Sequence, residues 1–292
     1  MQLTGILPAL VTPFDKSGAV DHDTLASILE YQLKAGVSGF VPLGSTGEYY
    51  ALTNEERRQV LATVKEVVGE RGTLIAGANG SCTREVLEQV KQTVEAGYTN
   101  LLIAPPYYAL PSQEELLAHY RTILETFPEI NLVLYNYPVR TNVEVGMGVV
   151  QALAEHPRVI AIKESSGNLL RAIEIGTSYK DKVQLSCGSD DQALDFFLWG
   201  ASSWICGPAN CFPDQVTDFY RKFASGDLAG AQDVMRSLFP VMASLESGKF
   251  VQKVKYGCEL AGFSAGNARA PLLPLTDEEK AEFRKVFEAS QR

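Results

Sequence analysis

Short apolar runs recur along the chain, and the segments between them bring an apolar residue back every third or fourth position. Eight such runs lie near Ile6 to Val11, Phe40 to Leu43, Leu74 to Ala76, Leu101 to Ala104, Leu132 to Tyr135, Val159 to Lys163, Val183 to Ser186, and Ser203 to Cys206. A short, continuous apolar run is what a strand buried on both faces requires, whereas the intervening period is that of an amphipathic helix. Three helical patterns end in glycine, at Gly36, Gly97 and Gly200, just before a strand begins. Glycine supplies the left-handed stop of a helix without a Cβ penalty. Helix starts are marked as clearly. Thr53-Asn54-Glu55-Glu56 and Ser112-Gln113-Glu114-Glu115 fit the capping box, in which a hydroxyl and a carboxylate satisfy free backbone amides.

Eight strands alternating with helices predict an α/β fold, a closed parallel (β/α)8 TIM barrel. An open doubly wound sheet would want a glycine-rich phosphate loop after the first strand, and Val11-Thr12-Pro13-Phe14 is not one. Beyond Cys211 the strand pattern stops. Helices are expected over Asp214 to Phe223, Leu228 to Leu245, Phe250 to Leu260 and Asp277 to Ser290, the last capped by Thr276. The expected organisation is therefore a barrel over residues 1–224 carrying the active site and a small C-terminal helical appendage over residues 225–292.

Composition narrows the function classes. The chain has 292 residues, 46% apolar and 21% charged, the profile of a globular enzyme. A net charge of −9 disfavours a nucleic-acid partner, whose phosphates need a basic patch. No apolar stretch is long enough to span a bilayer, and Met1-Gln2-Leu3-Thr4-Gly5 lacks the basic start of a signal peptide. Five scattered cysteines (Cys82, Cys187, Cys206, Cys211 and Cys258) show no metal-type spacing and suit reduced thiols in a cytoplasmic protein. The three histidines, His22, His119 and His156, fall in or just before helices and are expected at the surface, which removes metal and Ser-His-Asp chemistry.

Candidate chemistry collects at the C-terminal ends of the strands, where barrels of this type build their sites. The second strand leads into Gly44-Ser45-Thr46-Gly47-Glu48, whose glycines let the backbone turn and offer amides and hydroxyls to a small anion. No Gly-Lys-Ser/Thr follows, so it is not a nucleotide-phosphate loop. The fourth strand ends in Pro105-Pro106-Tyr107-Tyr108, the fifth in Tyr135-Asn136-Tyr137-Pro138 with Arg140 just beyond, and the sixth in Lys163. Burial disfavours the ammonium form of such a lysine, and a neutral amine attacks carbonyls to give a Schiff base. Taken singly, a strand-end lysine snorkels to solvent or pairs with a carboxylate such as Glu164, tyrosines pack, and a loop arginine is a solvated charge. Their joint appearance at four strand ends points to an enzyme.

Gly44-Ser45-Thr46-Gly47-Glu48, Tyr135-Asn136-Tyr137-Pro138 and Ile162-Lys163-Glu164, in that order and spacing, resemble the signatures of the dihydrodipicolinate synthase / N-acetylneuraminate lyase family of class I pyruvate aldolases. The resemblance runs from Gly5-Ile6-Leu7-Pro8 to the helical tail. It implies that Lys163 forms a Schiff base with pyruvate or another 2-oxo acid, and that Ser45 and Thr46 hold its carboxylate. Tyr135 would move protons, relayed through Ser45 and Tyr108, and Gly47, Arg140 and Ile205 would line the substrate site. No metal or organic cofactor is implied, since the protonated imine is itself the electron sink. The family's usual assembly is a homotetramer of paired dimers in which the tyrosine matching Tyr108 comes from a neighbouring subunit.

Within the family, Arg140 and Tyr108 resemble the synthase acting on pyruvate and aspartate semialdehyde, 4-hydroxy-tetrahydrodipicolinate synthase. Other positions depart from it. Asn142 stands where a glycine is usual, and the loop after the third strand reads Gly77-Ala78-Asn79-Gly80. Tyr137 resembles aldolases of 2-keto-3-deoxy sugar acids, and Asn267-Ala268-Arg269-Ala270-Pro271-Leu272 is similar to 4-hydroxy-2-oxoglutarate aldolase-like relatives. Positions that bind feedback lysine in regulated synthases read Tyr49, Tyr50, Asn54, Arg57 and Ser81, with only Glu85 and Tyr107 keeping the type. A non-enzymatic barrel that binds 2-oxo acids is the remaining alternative; the intact Lys163, Tyr135 and Ser45 speak against it.

Overall fold

A computed structural model describes residues 2–291. The strands are β1 (Gly5–Pro8), β2 (Gly39–Phe40), β3 (Thr73–Leu74), β4 (Ala76–Gly77), β5 (Asn100–Ile103), β6 (Asn131–Asn136), β7 (Val159–Glu164), β8 (Gln184–Cys187) and β9 (Ser203–Cys206). The chain falls into two compact units. One comprises residues 1–4 and 74–205, the other residues 5–73 and 206–292.

The first unit is built on a parallel ladder from β4 through β5, β6, β7 and β8 to β9. Every residue of β7 is buried, as a strand covered on both faces must be. Its neighbours β5 and β6 contribute Leu101, Leu102, Ile103, Leu132, Val133 and Leu134, each no more than 1% exposed. The helices between strands start where their caps predict. Ser112 forms a full capping box on the helix Gln113–Thr126, and Gly97 and Gly200 adopt the left-handed conformation expected of helix stops. The expected third strand appears as two short pieces, β3 and β4, either side of Ile75. The carbonyl of Leu74 takes its hydrogen bond from the side chain of Asn100, 3.1 Å away.

In the second unit, β1 is flanked by backbone hydrogen bonds from Ser38 to Ile6 and from Val41 to Pro8, while Ala9 donates to Cys206. The expected second strand is shorter than its apolar run because Leu43 turns left-handed, with φ 58°. The four late helices appear at Pro213–Ala224, Leu228–Glu246, Phe250–Leu260 and Asp277–Ser290, with Thr276 in a capping box. Phe212, Phe283 and Phe287 pack their rings together beneath the last of them. No helix among the described residues is long and apolar enough to cross a membrane.

His119 departs from the surface position expected of it: it is 4% exposed, whereas His22 and His156 are half-buried. It shares a helix face with Leu116, Tyr120 and Ile123, all buried, at the three- and four-residue spacing of that face. Its Nδ1 meets the Thr83 hydroxyl at 2.9 Å, and burial lowers its pKa to about 4.

Candidate active site

Parallel register brings the two central side chains of the first unit together. Tyr135 on β6 pairs with Lys163 on β7, and Asn136 pairs with Glu164 one step further. Partners in a parallel ladder point to the same face, so the tyrosine and the amine share one face while Asn136 and Glu164 share the other. Lys163 is 6% exposed, and its Nζ lies 4.4 Å from the centre of the Tyr135 ring. Tyr137 stacks on Tyr135 with ring centres 5.7 Å apart, and the guanidinium of Arg140 sits 5.9 Å from the Tyr137 ring. Arg140 lies exposed on the short helix Pro138–Thr141, which closes on Asn142 in a left-handed conformation. Asparagine tolerates that conformation better than other residues with a Cβ, which accounts for its standing where glycine is usual. Lys163, Tyr135, Tyr137 and Arg140 thus form one continuous series.

Behind that face lies a buried polar network that the sequence did not disclose. Glu164 is fully buried and accepts from Asn136 Nδ2 at 2.8 and 3.0 Å, from the Ser166 amide at 2.7 Å and from Arg171 Nε at 3.0 Å. Arg171 also donates to the Val145 carbonyl at 2.7 Å and pairs with Glu144 at 2.5 Å. Every oxygen and nitrogen that burial would penalise is therefore met, and the ends of β6 and β7 are held in register. Glu164 is engaged on the opposite face from the amine. A second signal is Gly188: a Cβ there would lie 2.9 Å from Lys163 Cε and 1.9 Å from the hydroxyl of Ser165. Only glycine leaves room beside the lysine.

Tyr108 is 90% exposed, beside half-buried Tyr107. Ile205 is buried in β9, next to Trp204, whose indole donates to Asp190 at 2.9 Å. Ser45, Thr46 and Gly47 belong to the second unit. There Thr46 is buried and Ser45 half-buried, and the Thr12 hydroxyl donates to the Gly47 carbonyl at 2.7 Å. A Cβ on Gly47 would come within 2.9 Å of the Leu10 carbonyl, so the loop lies flat on the end of the first strand. Among the described residues no group of three or more histidine, cysteine or acidic side chains is arranged to hold a metal ion.

Comparison with known proteins accords with this geometry. The model of the dihydrodipicolinate synthetase family matches residues 2–290. A 4-hydroxy-tetrahydrodipicolinate synthase of an Exiguobacterium species is 33% identical over 285 residues, which cover 98% of this chain and 97% of that protein. Another, from Methanoculleus marisnigri, is 35% identical over 286 residues, covering 97% of this chain and 98% of that one. Among solved structures, the chloride-inhibited dihydrodipicolinate synthase of Acinetobacter baumannii complexed with pyruvate superposes with a TM-score of 0.95 at 29% identity, covering 99% of both chains. The Thermotoga maritima dihydrodipicolinate synthase gives 0.95 at 29% identity, covering 100% of this chain and 99% of that one. The fold class is the α/β TIM barrel that the hydrophobic pattern predicted.

Proposed function

From the premise that the chain belongs to the dihydrodipicolinate synthetase family of lyases, we propose that it is a pyruvate-dependent aldolase working through a Schiff base on Lys163. The observation that carries this reading is the buried amine of Lys163, held by register beside the ring of Tyr135. A neutral amine adds to C2 of the 2-oxo acid, water leaves, and a protonated imine forms. That imine draws electrons from C3, so a C3 proton is lost and the resulting enamine attacks an aldehyde carbon. Hydrolysis of the new imine releases product and regenerates the lysine. Each step moves a proton at or near the imine, and the Tyr135 hydroxyl is the group assigned to it, with Ser45 and Tyr108 as its relay. Ser45, Thr46 and the amide of Gly47 are assigned to the carboxylate of the 2-oxo acid, and Ile205 to the apolar wall. Tyr108 is assigned to a neighbouring subunit's site in a homotetramer.

The second substrate in this reading is aspartate semialdehyde; in place of hydrolysis, its amino group attacks the carbon of the new imine, expels the Lys163 amine and closes the ring of 4-hydroxy-tetrahydrodipicolinate. Arg140 supports it, because an exposed guanidinium beside Tyr137 suits an acidic aldehyde arriving from solvent. Aldolases of 2-keto-3-deoxy sugar acids are the second reading, favoured by the Tyr137 ring stacked on Tyr135, whose hydroxyl suits a polyol chain. Incubation with pyruvate and borohydride, followed by peptide mass mapping, tests the core of the proposal. A reduced adduct on Lys163 alone is expected, and its absence from Lys163→Arg. An adduct on another lysine would overturn the assignment.

A further inference from the structure

The second unit buries a pair of opposite charges whose place in the fold is not explained by stability. Glu48 is fully buried, and Lys255, on the helix Phe250–Leu260, is 2% exposed. Lys255 Nζ stands 2.6 Å from Glu48 Oε1, in the geometry of an ion pair rather than of an aligned hydrogen bond. The other carboxylate oxygen of Glu48 accepts from the Arg269 amide at 2.8 Å, and Lys255 also donates to the Asn267 carbonyl at 3.1 Å. Both cations lie over the ring of Phe14, at 3.9 Å for Lys255 and 4.2 Å for Arg269. Removing two charges from water costs about what their attraction returns, so an apolar pair would serve stability as well. A buried pair retained at one place therefore calls for a positional reason.

That reason lies in the backbone. Glu48 adopts φ 54° and ψ 38°, and Leu43, at the other end of the loop, has φ 58°. Both are left-handed conformations that residues with a Cβ adopt only when their surroundings impose them. Between them run Gly44, Ser45, Thr46 and Gly47. The Gly47 end is tied through its carbonyl to Thr12, in the segment that follows the first strand. Glu48, the next residue, is tied to the C-terminal segment, and so is the chain just beyond it, through Arg269, which donates to the Ala51 carbonyl at 2.7 Å and to Glu56 at 2.9 Å. A turn held out of its relaxed conformation keeps its hydroxyls and amides where they were set.

We infer that Glu48 and Lys255 are positioning residues: their buried ion pair holds the Ser45–Thr46 turn in its carboxylate-binding conformation, giving the C-terminal helices a part in selecting a 2-oxo acid. The inference rests on the proposed function, in which this turn receives the carboxylate of pyruvate. Glu48 and Lys255 themselves touch no substrate; they act through the turn.

The test is the pyruvate concentration that half-saturates borohydride trapping on Lys163, read by intact mass without any second substrate. Glu48→Gln and Lys255→Met should each raise it roughly tenfold, the loss of one charge-assisted contact, while saturating pyruvate still labels the protein fully. Phe283→Leu, a core change under the same C-terminal helices, is the control for lowered stability. With a comparable fall in Tm it should stay within about twofold of the parent. Should Lys255→Met fail to fold, the neutral double variant Glu48→Gln/Lys255→Met is read by the same criterion. Half-saturation unchanged in the charge variants, or shifted equally in Phe283→Leu, overturns the inference while leaving the Schiff base intact. A parent that is not labelled on Lys163 removes the functional reading and the inference together.

Discussion

Replacing Tyr135 by phenylalanine keeps the ring beside the Lys163 amine and removes only the hydroxyl, so it separates packing from proton transfer. If the hydroxyl carries protons, kcat falls by roughly two to four orders of magnitude, the usual worth of general acid–base catalysis. A change confined to KM would mean that the tyrosine only positions substrate. Arg140 calls for the opposite split. Arg140→Ala should leave the pyruvate adduct intact and raise KM for an acidic aldehyde by roughly 10- to 100-fold, since a charge-assisted pair contributes about 1.5–3 kcal/mol. Equal handling of acidic and neutral aldehydes by parent and variant would shift the reading to the sugar-acid aldolases. At this scale the sequence was informative about placement: Tyr135 and Lys163 stand near the ends of β6 and β7, where the apolar runs put them. It was silent about Gly188 and Ser165, because the space beside a lysine depends on which strand lies next to it. It misplaced His119, because a polar residue type was given more weight than its spacing from Leu116 and Ile123.

Strands β6 and β7 owe their shared end to Glu164 and its partners. Arg171→Met leaves the Glu164 carboxylate buried with hydrogen bonds but no charge partner, an arrangement that costs about 3–5 kcal/mol in comparable cases. Urea denaturation should show a loss on that order, and Glu164→Gln/Arg171→Met, which buries no charge, should recover most of it. Failure of the double variant to recover would mean that the network is not held by charge compensation. The elements themselves were legible from period and caps: helices Phe250–Leu260 and Asp277–Ser290 lie where the sequence placed them. Strand ends were less so. An apolar run continues through Leu43 although the strand does not, since the left-handed turn there is imposed by the loop and not by leucine. The Glu164–Arg171 pair was hidden for a similar reason: adjacent residues on a strand face opposite ways, and only register decides what waits on each side.

Taken over the whole chain, acid stability should carry two separable signatures. His119 has its pKa lowered from 6.5 to about 4 by burial, so its neutral form is favoured in the folded state. The associated stability is complete above pH 6.5 and is lost as pH falls toward 4, roughly 3 kcal/mol over that window at the usual cost per pKa unit. Glu56 is lowered from 4.5 to about 2, first by its hydrogen bond with Arg269, and its contribution disappears only below pH 4.5. His119→Gln should therefore flatten the urea-derived stability profile between pH 6.5 and 4 and leave the steeper fall below it. An unchanged slope in the upper window would show that His119 does not titrate with unfolding.

The chain has two tryptophans, Trp199 and Trp204, and both belong to the unit formed by residues 1–4 and 74–205. Trp204 is fully buried with its indole bonded to Asp190, and Trp199 is 42% exposed. Intrinsic emission at the red edge of excitation is thus an optical report from one half of the molecule, with a blue-shifted and a quenchable component. The half that holds Ser45, Lys255 and the late helices is dark at those wavelengths. A Trp199→Phe chain would leave a single lamp one residue from Ile205, while a tryptophan introduced at Phe212 would light the half that the native protein leaves unseen.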